Sequence, residues 1–559
     1  MGKIEYVLFF IVLVFSLLYK AIYFHTQTGV YNESIKTVKK ANLGSVLVLT
    51  AFILAVSFNK SFLIGIIFNL IISIWVFADI MFAKYYYNPL NITVIFYQMR
   101  FLGDIKNSMS ALFDKKDLKL FLDIPFFIIA AFVFEKTYID WITRYIAAFI
   151  IFILGLILIK SSIKECEKEK YSWEKEKTAG DLGVLYYHFM DIFYSIKRFF
   201  SKNEAKPQEK VKVKEYSFKP KQNKYSGIYK GKNLIVVQLE AMQGFAIGAK
   251  IDGKEVTPNL NKLINKSIYA QNLYYQANYG NTCDAEFIIN NSLYPSVTGT
   301  AYYQYPLNTY YSLAKQLNKK GYYTGVFHGY ERDFWNRPQM YESMGFERYF
   351  SKDDFKSTKN IGFGINDSEF FRQSIDYLME NAKDKPFYGF FISLSSHHPY
   401  NYDYGTDFNA GKYEGTMLGD FFRGANYADK AIGELIDYMK EKGIYEDTVL
   451  AVYGDHAALF TDEADNLCDF MNVEYNRMNW NLLQKVPFIL TCGESTEGIK
   501  VEKTSGQIDI LPTIANLMEI EIPYMYGRDM LDDEAGYAVL PRGNLVTEEY
   551  IFKIGRAHV

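Results

Sequence analysis

Long apolar runs dominate the first 160 residues, and they constrain the fold more than any other feature of this sequence. A helix needs ~20 apolar residues to cross the ~30 Å hydrocarbon core of a bilayer, because its backbone polar groups must be satisfied within the helix. Several segments meet or approach this length: Tyr6–Phe24, Ala41–Phe58, Phe62–Phe82, Leu118–Phe134 and Trp141–Ile159. The sequence therefore predicts a transmembrane domain of about five helices over residues 1–160.

The fourth segment is the least regular of the five. Lys119, Asp123 and Pro125 interrupt it, so a tilted or partly re-entrant course is an alternative to a full span. Asp79 and Asp123 are ionisable side chains at or near membrane depth, which predicts either lipid-headgroup contacts or interfacial positions near helix ends. Basic residues between Lys84 and Lys116 and after the last span give conflicting orientations under the positive-inside rule, so the residues alone leave the side open.

A charged segment, residues 161–230, follows the last span. KECEKEKYSWEKEK predicts a charged juxtamembrane helix, and GVLYYHFMDIFYSIKRFF predicts an amphipathic helix on the bilayer surface. NEAKPQEKVKVKEY is typical of a flexible, protease-sensitive tether. Residues 231–553 are predicted to form the soluble domain, and residues 554–559, IGRAHV, a non-native tail.

Short β-branched or aromatic runs alternate with helical stretches after Lys232. The runs NLIVVQLE, GYYTGVFHG, KPFYGFFISLSSHHPY and TVLAVYGDHA each end in polar residues. Between them, NTYYSLAKQLNKKG, SEFFRQSIDYLMENAK and YADKAIGELIDYMKEKG read as helices that run into Lys or Gly. This alternation predicts an α/β domain with a mostly parallel sheet, covered by helices on both faces. In such domains the site lies beyond the carboxyl ends of the strands.

Composition excludes two classes of partner or site. The net charge of −2 and the absence of a basic stripe argue against a nucleic-acid partner. The cysteines have neither CxxC nor zinc-finger spacing, which argues against a disulfide framework and a structural zinc site. They are Cys166, Cys283, Cys468 and Cys492.

Four polar groups are predicted to gather at strand ends and at a helix start: Glu240, Thr282, Asp455 and His456. Two carboxylates, an imidazole and a hydroxyl form an oxygen-rich ligand set that suits Mn²⁺ or Mg²⁺. Taken singly, each has a plainer interpretation as a surface carboxylate, a turn residue or a helix cap. Taken together, they would place a divalent ion beside a threonine hydroxyl, which predicts covalent phosphoryl transfer through Thr282.

Several motifs resemble the lipoteichoic acid synthase family, the membrane-anchored members of the alkaline phosphatase/sulfatase superfamily. They are VVQLEAMQ, GNTCDAEF, FHGYERDFWNRPQMYESMGF, SLSSHHPY, YGDHA and IDILPTIANLM, and the likeness covers nearly the whole chain. The resemblance implies a helical membrane bundle followed by a sulfatase-like α/β catalytic domain. It also implies that this domain is extracellular, because the family meets its donor, phosphatidylglycerol, on the outer leaflet.

The resemblance also implies a role for each matching residue. Glu240, Thr282, Asp455 and His456 would bind the metal, with Thr282 as nucleophile. A second group would hold the glycerophosphate: His328, Trp335, Arg337 and His397. This role suits the chemistry of arginine, since the Arg337 guanidinium can bind phosphate oxygens through two parallel N–H donors. A packing role is the alternative interpretation of Trp335. His398 is the alternative to His397 as the substrate-binding histidine.

Cys283 departs from the family pattern, in which many relatives have serine after the threonine. Sulfatases use a cysteine-derived nucleophile, but with Pro and Arg close behind it. Here Cys283 is followed by Asp284, Ala285 and Glu286. This context favours Thr282 as the nucleophile and a buried, structural Cys283.

The combined prediction is a membrane-bound, metal-dependent glycerol phosphate transferase of the cell membrane. It would take glycerol phosphate from phosphatidylglycerol and pass it, through a phospho-threonine intermediate, to a glycolipid or to growing polyglycerol phosphate, the chain of lipoteichoic acid. Two alternatives stay open. One is a phosphoethanolamine or glycan-modifying phosphoglycerol transferase, and the other is a catalytically inactive membrane-anchored binding protein.

Overall fold

The structure is a computed structural model with two compact units, Met1–Glu209 and Lys210–Val559. It describes residues 2–28, 35–57, 61–86, 89–92, 95, 113–133, 140–166, 175–201, 222–296, 299–357, 359–494, 496, 498–541 and 543–552. The predicted tether NEAKPQEKVKVKEY and the tail IGRAHV lie outside these residues.

The described part of the first unit is helical. In chain order its helices are α1 Gly2–Thr28, α2 Ile35–Val56, α3 Ser61–Tyr86, α4 Ile124–Val133, α5 Trp141–Cys166, α6 Lys175–Leu182 and α7 Val184–Ser201. Four of them, α1, α2, α3 and α5, contain stretches long and apolar enough to cross a membrane. This confirms four of the five predicted spanning helices.

The fourth predicted segment is not a full-length helix. A short 3-10 helix, Lys115–Phe121, precedes α4, which has 10 residues. Ten residues rise only about 15 Å, half of the hydrocarbon thickness. The break falls at Asp123, directly before α4 and Pro125, because proline favours the first turn of a helix and ends the one before it. Of the about five predicted helices, four are thus long enough to span, and the fourth segment is broken, which agrees with the tilted or partly re-entrant course that the sequence leaves open.

The packing of the long helices nevertheless requires a crossing between α3 and α5. Lys40 Nζ donates to Ser161 Oγ at 2.6 Å, and Gly44 lies against Gly155, so α5 runs antiparallel to α2. The short connection between α2 and α3 makes these two antiparallel as well. Helices α3 and α5 thus run in the same direction, and the chain between them must return across the bundle.

The broken segment makes this return alongside α1. Tyr23, near the end of α1, donates to the Lys116 carbonyl at 3.1 Å, whereas the ring of Phe9, near its start, packs on Phe127 with centroids 5.2 Å apart. At the break, the buried Lys20 Nζ lies 2.9 Å from Asp123 Oδ2. Asn69 Nδ2 also donates to this carboxylate oxygen at 2.8 Å. Asp123 therefore binds internal partners in the helix bundle.

The second unit is built on a single large sheet. Its strands are β1 Asn233–Leu239, β4 Ile268–Ala270, β6 Tyr323–His328, β7 Arg348–Phe350, β10 Phe387–Ile392, β11 Thr448–Gly454, β12 Phe488–Cys492 and β13 Ile499–Val501, in the order β13-β4-β12-β11-β1-β10-β6-β7. The remaining strands form small ribbons: β2 Lys250–Ile251, β3 Lys254–Glu255, β5 Leu273–Tyr274, β8 Asn360–Ile361, β9 Gly364–Ile365, β14 Ser505–Gly506, β15 Tyr537–Val539, β16 Leu545–Thr547 and β17 Ile551–Phe552. From β11 to β7 every neighbouring pair is parallel, whereas β12 pairs antiparallel with both of its neighbours.

Helices cover both faces of this sheet. They are α8 Pro258–Leu263, α9 Thr282–Asn291, α10 Ala301–Gln304, α11 Leu313–Lys319, α12 Arg337–Met344, α13 Asp367–Ala382, α14 Met417–Glu441, α15 Ala464–Met471, α16 Arg477–Leu482 and α17 Ile510–Leu517. Successive side chains of a strand point to opposite faces. Ile235 and Val237 of β1 accordingly pack in one hydrophobic core, and Leu234 and Val236 in the other. The predicted mostly parallel α/β fold is confirmed.

The close approach of α2 and α5 yields a test of the membrane unit. A Cβ added at Gly155 would lie 2.7 Å from the Gly44 carbonyl oxygen, so Gly155→Ala must push the two backbones apart. We expect a loss of about 1–3 kcal/mol, typical of overpacking, measured as a lower unfolding temperature of the full-length protein in detergent. Gly65→Ala is the comparison, because its Cβ would press on a side chain, the buried ring of Phe9, instead of a helix backbone, and should cost less. Equal unfolding temperatures for the two variants would contradict this packing.

Candidate metal centre

The candidate site begins where two central parallel strands end. Leu239 of β1 pairs with Gly454 of β11, and each strand is followed at once by a carboxylate, Glu240 and Asp455. Parallel register thus places the two carboxylates side by side at the carboxyl edge of the sheet.

His456 completes a compact donor group with these carboxylates. Its Nε2 lies 3.5 Å from Glu240 Oε1 and 3.5 Å from Asp455 Oδ2. One ligand atom from each of the three residues lies within 4.8 Å of the others, and all three side chains are buried. Ligands on opposite sides of a divalent ion stand about 4–5 Å apart, twice a typical metal–ligand distance. The group therefore fits one divalent cation.

Thr282 adjoins this group as the first residue of α9. Its Oγ1 donates to Glu240 Oε2 at 3.3 Å, and the residue is 9% exposed. The preceding turn is fixed by Asp284, whose Oδ2 accepts from the backbone N–H groups of Asn278 and Gly280. The structure thus brings Glu240, Thr282, Asp455 and His456 together, as the sequence predicts.

Charge and burial set the protonation of the three ionisable groups. Burial would raise the pKa of Glu240, but the imidazoles of His397 and His456 lower it to about 2. Burial and the negative charge of Glu240 raise the pKa of Asp455 to about 8. Burial opposes the imidazolium of His456, yet Asp455 and Glu240 raise its pKa to about 9. Without a cation, Asp455 and His456 therefore share between one and two protons at neutral pH, because each charge sets the pKa of the other group.

Buried amides and a hydroxyl hold the backbone of the site residues in place. Gln238 Nε2 donates to the Thr282 carbonyl at 3.1 Å, and Gln507 Nε2 donates to the Asp455 carbonyl at 2.6 Å. Ser396 Oγ donates to the Glu240 carbonyl at 2.8 Å. The motifs in the sequence do not point to these residues. A signal existed for Gln238, since a polar side chain inside the apolar run NLIVVQL needs a buried partner.

The predicted substrate histidines surround the same edge. His397 Nε2 lies 3.9 Å from Glu240 Oε1, and its ring packs edge-on against Phe363. His328 ends β6 and is fully enclosed; burial, then the charges of Arg337 and His397, hold its pKa well below the usual range. His398, the alternative to His397, packs its ring on Tyr400 and Phe460.

Trp335 and Arg337 follow β6 along the chain, where a short 3-10 helix leads into α12. Trp335 adopts φ 62°, a conformation unusual for a bulky side chain, and packs against Tyr303. Arg337 is fully buried, and both its Nε and its Nη2 donate to Glu286, with the closest contact at 2.6 Å. The two parallel N–H donors that were predicted to bind phosphate thus bind the Glu286 carboxylate instead. Arg337 Nη1 donates to the Phe334 carbonyl at 3.4 Å.

Cys283 is not suited to act as the nucleophile. It is a free, fully buried thiol, and burial followed by the charges of Asp284 and Glu286 raises its pKa well above the usual range. A thiol with a raised pKa is a poor nucleophile at neutral pH. Cys468 and Cys492 are also free and buried.

Comparison with known families covers both units. The lipoteichoic acid synthase N-terminal domain matches residues 1–204, and the sulfatase family matches residues 232–520. The chain belongs to the lipoteichoic acid synthase family. Family membership, together with the metal-ligand group of Glu240, Asp455 and His456, makes the protein a metal-dependent phosphotransferase.

Individual members of the lipoteichoic acid synthase family align over most of the chain. Lipoteichoic acid synthase-like YvgJ of Bacillus subtilis (strain 168) is 30% identical over 515 residues, 88% of this chain and 82% of that protein. Lipoteichoic acid synthase 2 of the same organism is 30% identical, covering 87% and 77%. The crystal structure of the lipoteichoic acid synthase LtaP from Listeria monocytogenes has a TM-score of 0.55 and 31% identity, covering 59% of this chain and 83% of that one. The predicted resemblance is confirmed.

The protons on Asp455 and His456 predict how metal affinity depends on pH. Because a cation must displace them, the affinity of the C-terminal unit for Mn²⁺ should rise with pH and level off above about pH 9, the pKa of His456. Each proton displaced contributes about tenfold per pH unit. Calorimetric titration at pH 6–9, in two buffers of different ionisation enthalpy, should show between one and two protons released at pH 7. An affinity independent of pH would contradict the assignment.

The Arg337–Glu286 pair predicts a large effect on stability. Arg337→Ala leaves the Glu286 carboxylate buried without its cation, which should cost about 3–5 kcal/mol of unfolding free energy. Tyr341→Phe, which removes one neutral donor to the same carboxylate, should cost only about 1–3 kcal/mol. Urea denaturation of the C-terminal unit measures both. The pair would lack its structural role if Arg337→Ala were as stable as the wild type.

Proposed function

We propose that this protein is a glycerol phosphate transferase that uses phosphatidylglycerol to build polyglycerol phosphate. The observation that carries the proposal is the meeting of the Thr282 hydroxyl with Glu240, Asp455 and His456 at one sheet edge. The family supports the substrate class, since its relatives bear the name lipoteichoic acid synthase. In this proposal the catalytic unit faces the outside of the cell.

Glu240, Thr282, Asp455 and His456 would hold the metal, with Mn²⁺ proposed ahead of Mg²⁺. A bound divalent ion would lower the pKa of the Thr282 hydroxyl and polarise a phosphoryl oxygen. Thr282 Oγ1 then forms a bond to phosphorus, and the bond from phosphorus to the diacylglycerol oxygen breaks. The glycerophosphate now rests on Thr282 as a phosphoester, and an acceptor hydroxyl releases it in the second half of the reaction.

His397 is the proposed proton carrier. It flanks the Glu240 carboxylate, as the Thr282 hydroxyl does. Burial lowers the pKa of His397, so its imidazole is neutral at pH 7 and can accept the threonine proton. The same imidazolium can then protonate the departing diacylglycerol oxygen. His328, Trp335, Arg337 and His397 itself are proposed to contact the glycerophosphate.

The decisive test uses the full-length protein in vesicles of phosphatidylglycerol labelled in its headgroup. We expect labelled polyglycerol phosphate in the presence of Mn²⁺, and a loss of roughly 10³-fold or more in Thr282→Ala. Cys283→Ser is the matched control, because it changes the adjacent buried side chain and should keep most of the activity. Mass analysis of wild type quenched early should find one glycerophosphate on Thr282.

Three results would reject the proposal. Transfer only from labelled phosphatidylethanolamine would assign a different headgroup. Full activity of Thr282→Ala would remove the proposed nucleophile. Absence of any metal-dependent turnover, with the site intact, would favour the inactive binding protein.

A further inference from the structure

The N-terminal unit contains a cavity of about 690 Å³ among α2, α3, α5 and α7. This volume lies within the range of small-molecule sites, roughly 300–1,000 Å³. Its wall is almost wholly apolar and includes Val48, Phe52, Ile72, Phe149, Phe152 and Leu185. Three of its four helices are long and apolar enough to span a membrane.

An acyl chain suits the wall but does not explain selectivity. Lipid tails are as apolar as the lining, so a chain gains little by leaving the bilayer for the cavity. Specific binding therefore needs polar groups, and the cavity has such groups at Trp75, Asp79 and His188.

Asp79 is satisfied within the protein. It is fully buried, accepts from the backbone N–H of Leu90 at 3.0 Å, and lies 2.6 Å from His188 Nε2. Of the two alternatives for Asp79, a headgroup contact or an interfacial position, the headgroup contact is replaced by this internal pair. This pair fixes the His188 ring, whose centroid lies 4.9 Å from that of Trp75.

Two polar atoms beside this pair have no hydrogen-bond partner among the described residues. They are Trp75 Nε1 and His188 Nδ1; neither atom exposes surface in this conformation, so a ligand in the cavity bonds to them once the Trp75 and His188 rings turn toward it. An unsatisfied polar atom in apolar surroundings costs free energy, so a ligand that satisfies both gains what an acyl chain alone cannot. The indole N–H requires an acceptor, such as an ester carbonyl. A hydroxyl can donate to or accept from His188 Nδ1 in either tautomer.

We propose that this cavity binds a hydroxyl-bearing glycerolipid. One acyl chain fills the apolar part, an ester carbonyl accepts from Trp75 Nε1, and a hydroxyl bonds to His188 Nδ1. Diacylglycerol and phosphatidylglycerol both carry this combination, whereas phosphatidylcholine lacks the hydroxyl. The site is independent of the metal centre, so Thr282→Ala should bind the lipid as the wild type does.

The test is photo-crosslinking of the full-length protein in nanodiscs with trace diacylglycerol that carries a diazirine on its acyl chain. Crosslinks should concentrate on α3 and α7 residues of the cavity. Ala55→Trp, which fills the cavity, should lower them about tenfold or more. Ala147→Trp is the matched control, a half-buried alanine outside the described lining, and should leave them unchanged. Trp75→Phe keeps the ring but loses the donor, and should lower crosslinking roughly three- to tenfold.

Competition with unlabelled lipids separates the sources. Displacement chiefly by diacylglycerol or chiefly by phosphatidylglycerol supports the proposal and identifies the natural occupant. Equal displacement by phosphatidylcholine overturns the hydroxyl recognition. Crosslinks spread evenly over the lipid-facing helices, and unaffected by Ala55→Trp and Trp75→Phe, overturn the site itself.

Discussion

Repulsion between two buried carboxylates is the constraint on which the catalytic unit depends. The parallel register of β1 and β11 fixes Glu240 beside Asp455, and neither side chain can turn to solvent. Backbone N–H groups of Ala241 and His456 hold one oxygen of Asp455 at 2.8 Å each. The remaining oxygens converge, and like charges so placed need either protons or a cation between them. Protons, the cation and the Thr282 hydroxyl therefore compete for the same few oxygens.

Much of this arrangement could be predicted from the sequence because it is local. Each buried run of the parallel sheet ends in a polar loop, and α/β topology brings the ends of adjacent parallel strands to one edge. Glu240 and Asp455 follow their strands directly, and Thr282 opens a helix at the same edge. Resemblance to the family then supplied roles that spacing alone leaves open.

Side-chain pairs between residues that are distant in sequence could not be predicted from local patterns. Arg337 and Glu286 are 51 residues apart, and nothing in either segment indicates that they meet. A buried arginine that satisfies a carboxylate looks, in sequence, like an arginine free for phosphate. The sequence marks the irregular segment through Lys119, Asp123 and Pro125, but it does not indicate the partner that Asp123 binds. Hydropathy counts apolar residues, whereas the course of the backbone at Asp123 depends on Lys20, distant in sequence and close in space.

The most direct test of the account is a crystal structure of the C-terminal unit soaked with Mn²⁺, with data collected at the manganese absorption edge. We expect one anomalous peak about 2.0–2.3 Å from an oxygen of Glu240, Thr282 Oγ1, an oxygen of Asp455 and His456 Nε2. A peak bound by other residues, or one that leaves Thr282 Oγ1 beyond coordination distance, would contradict it.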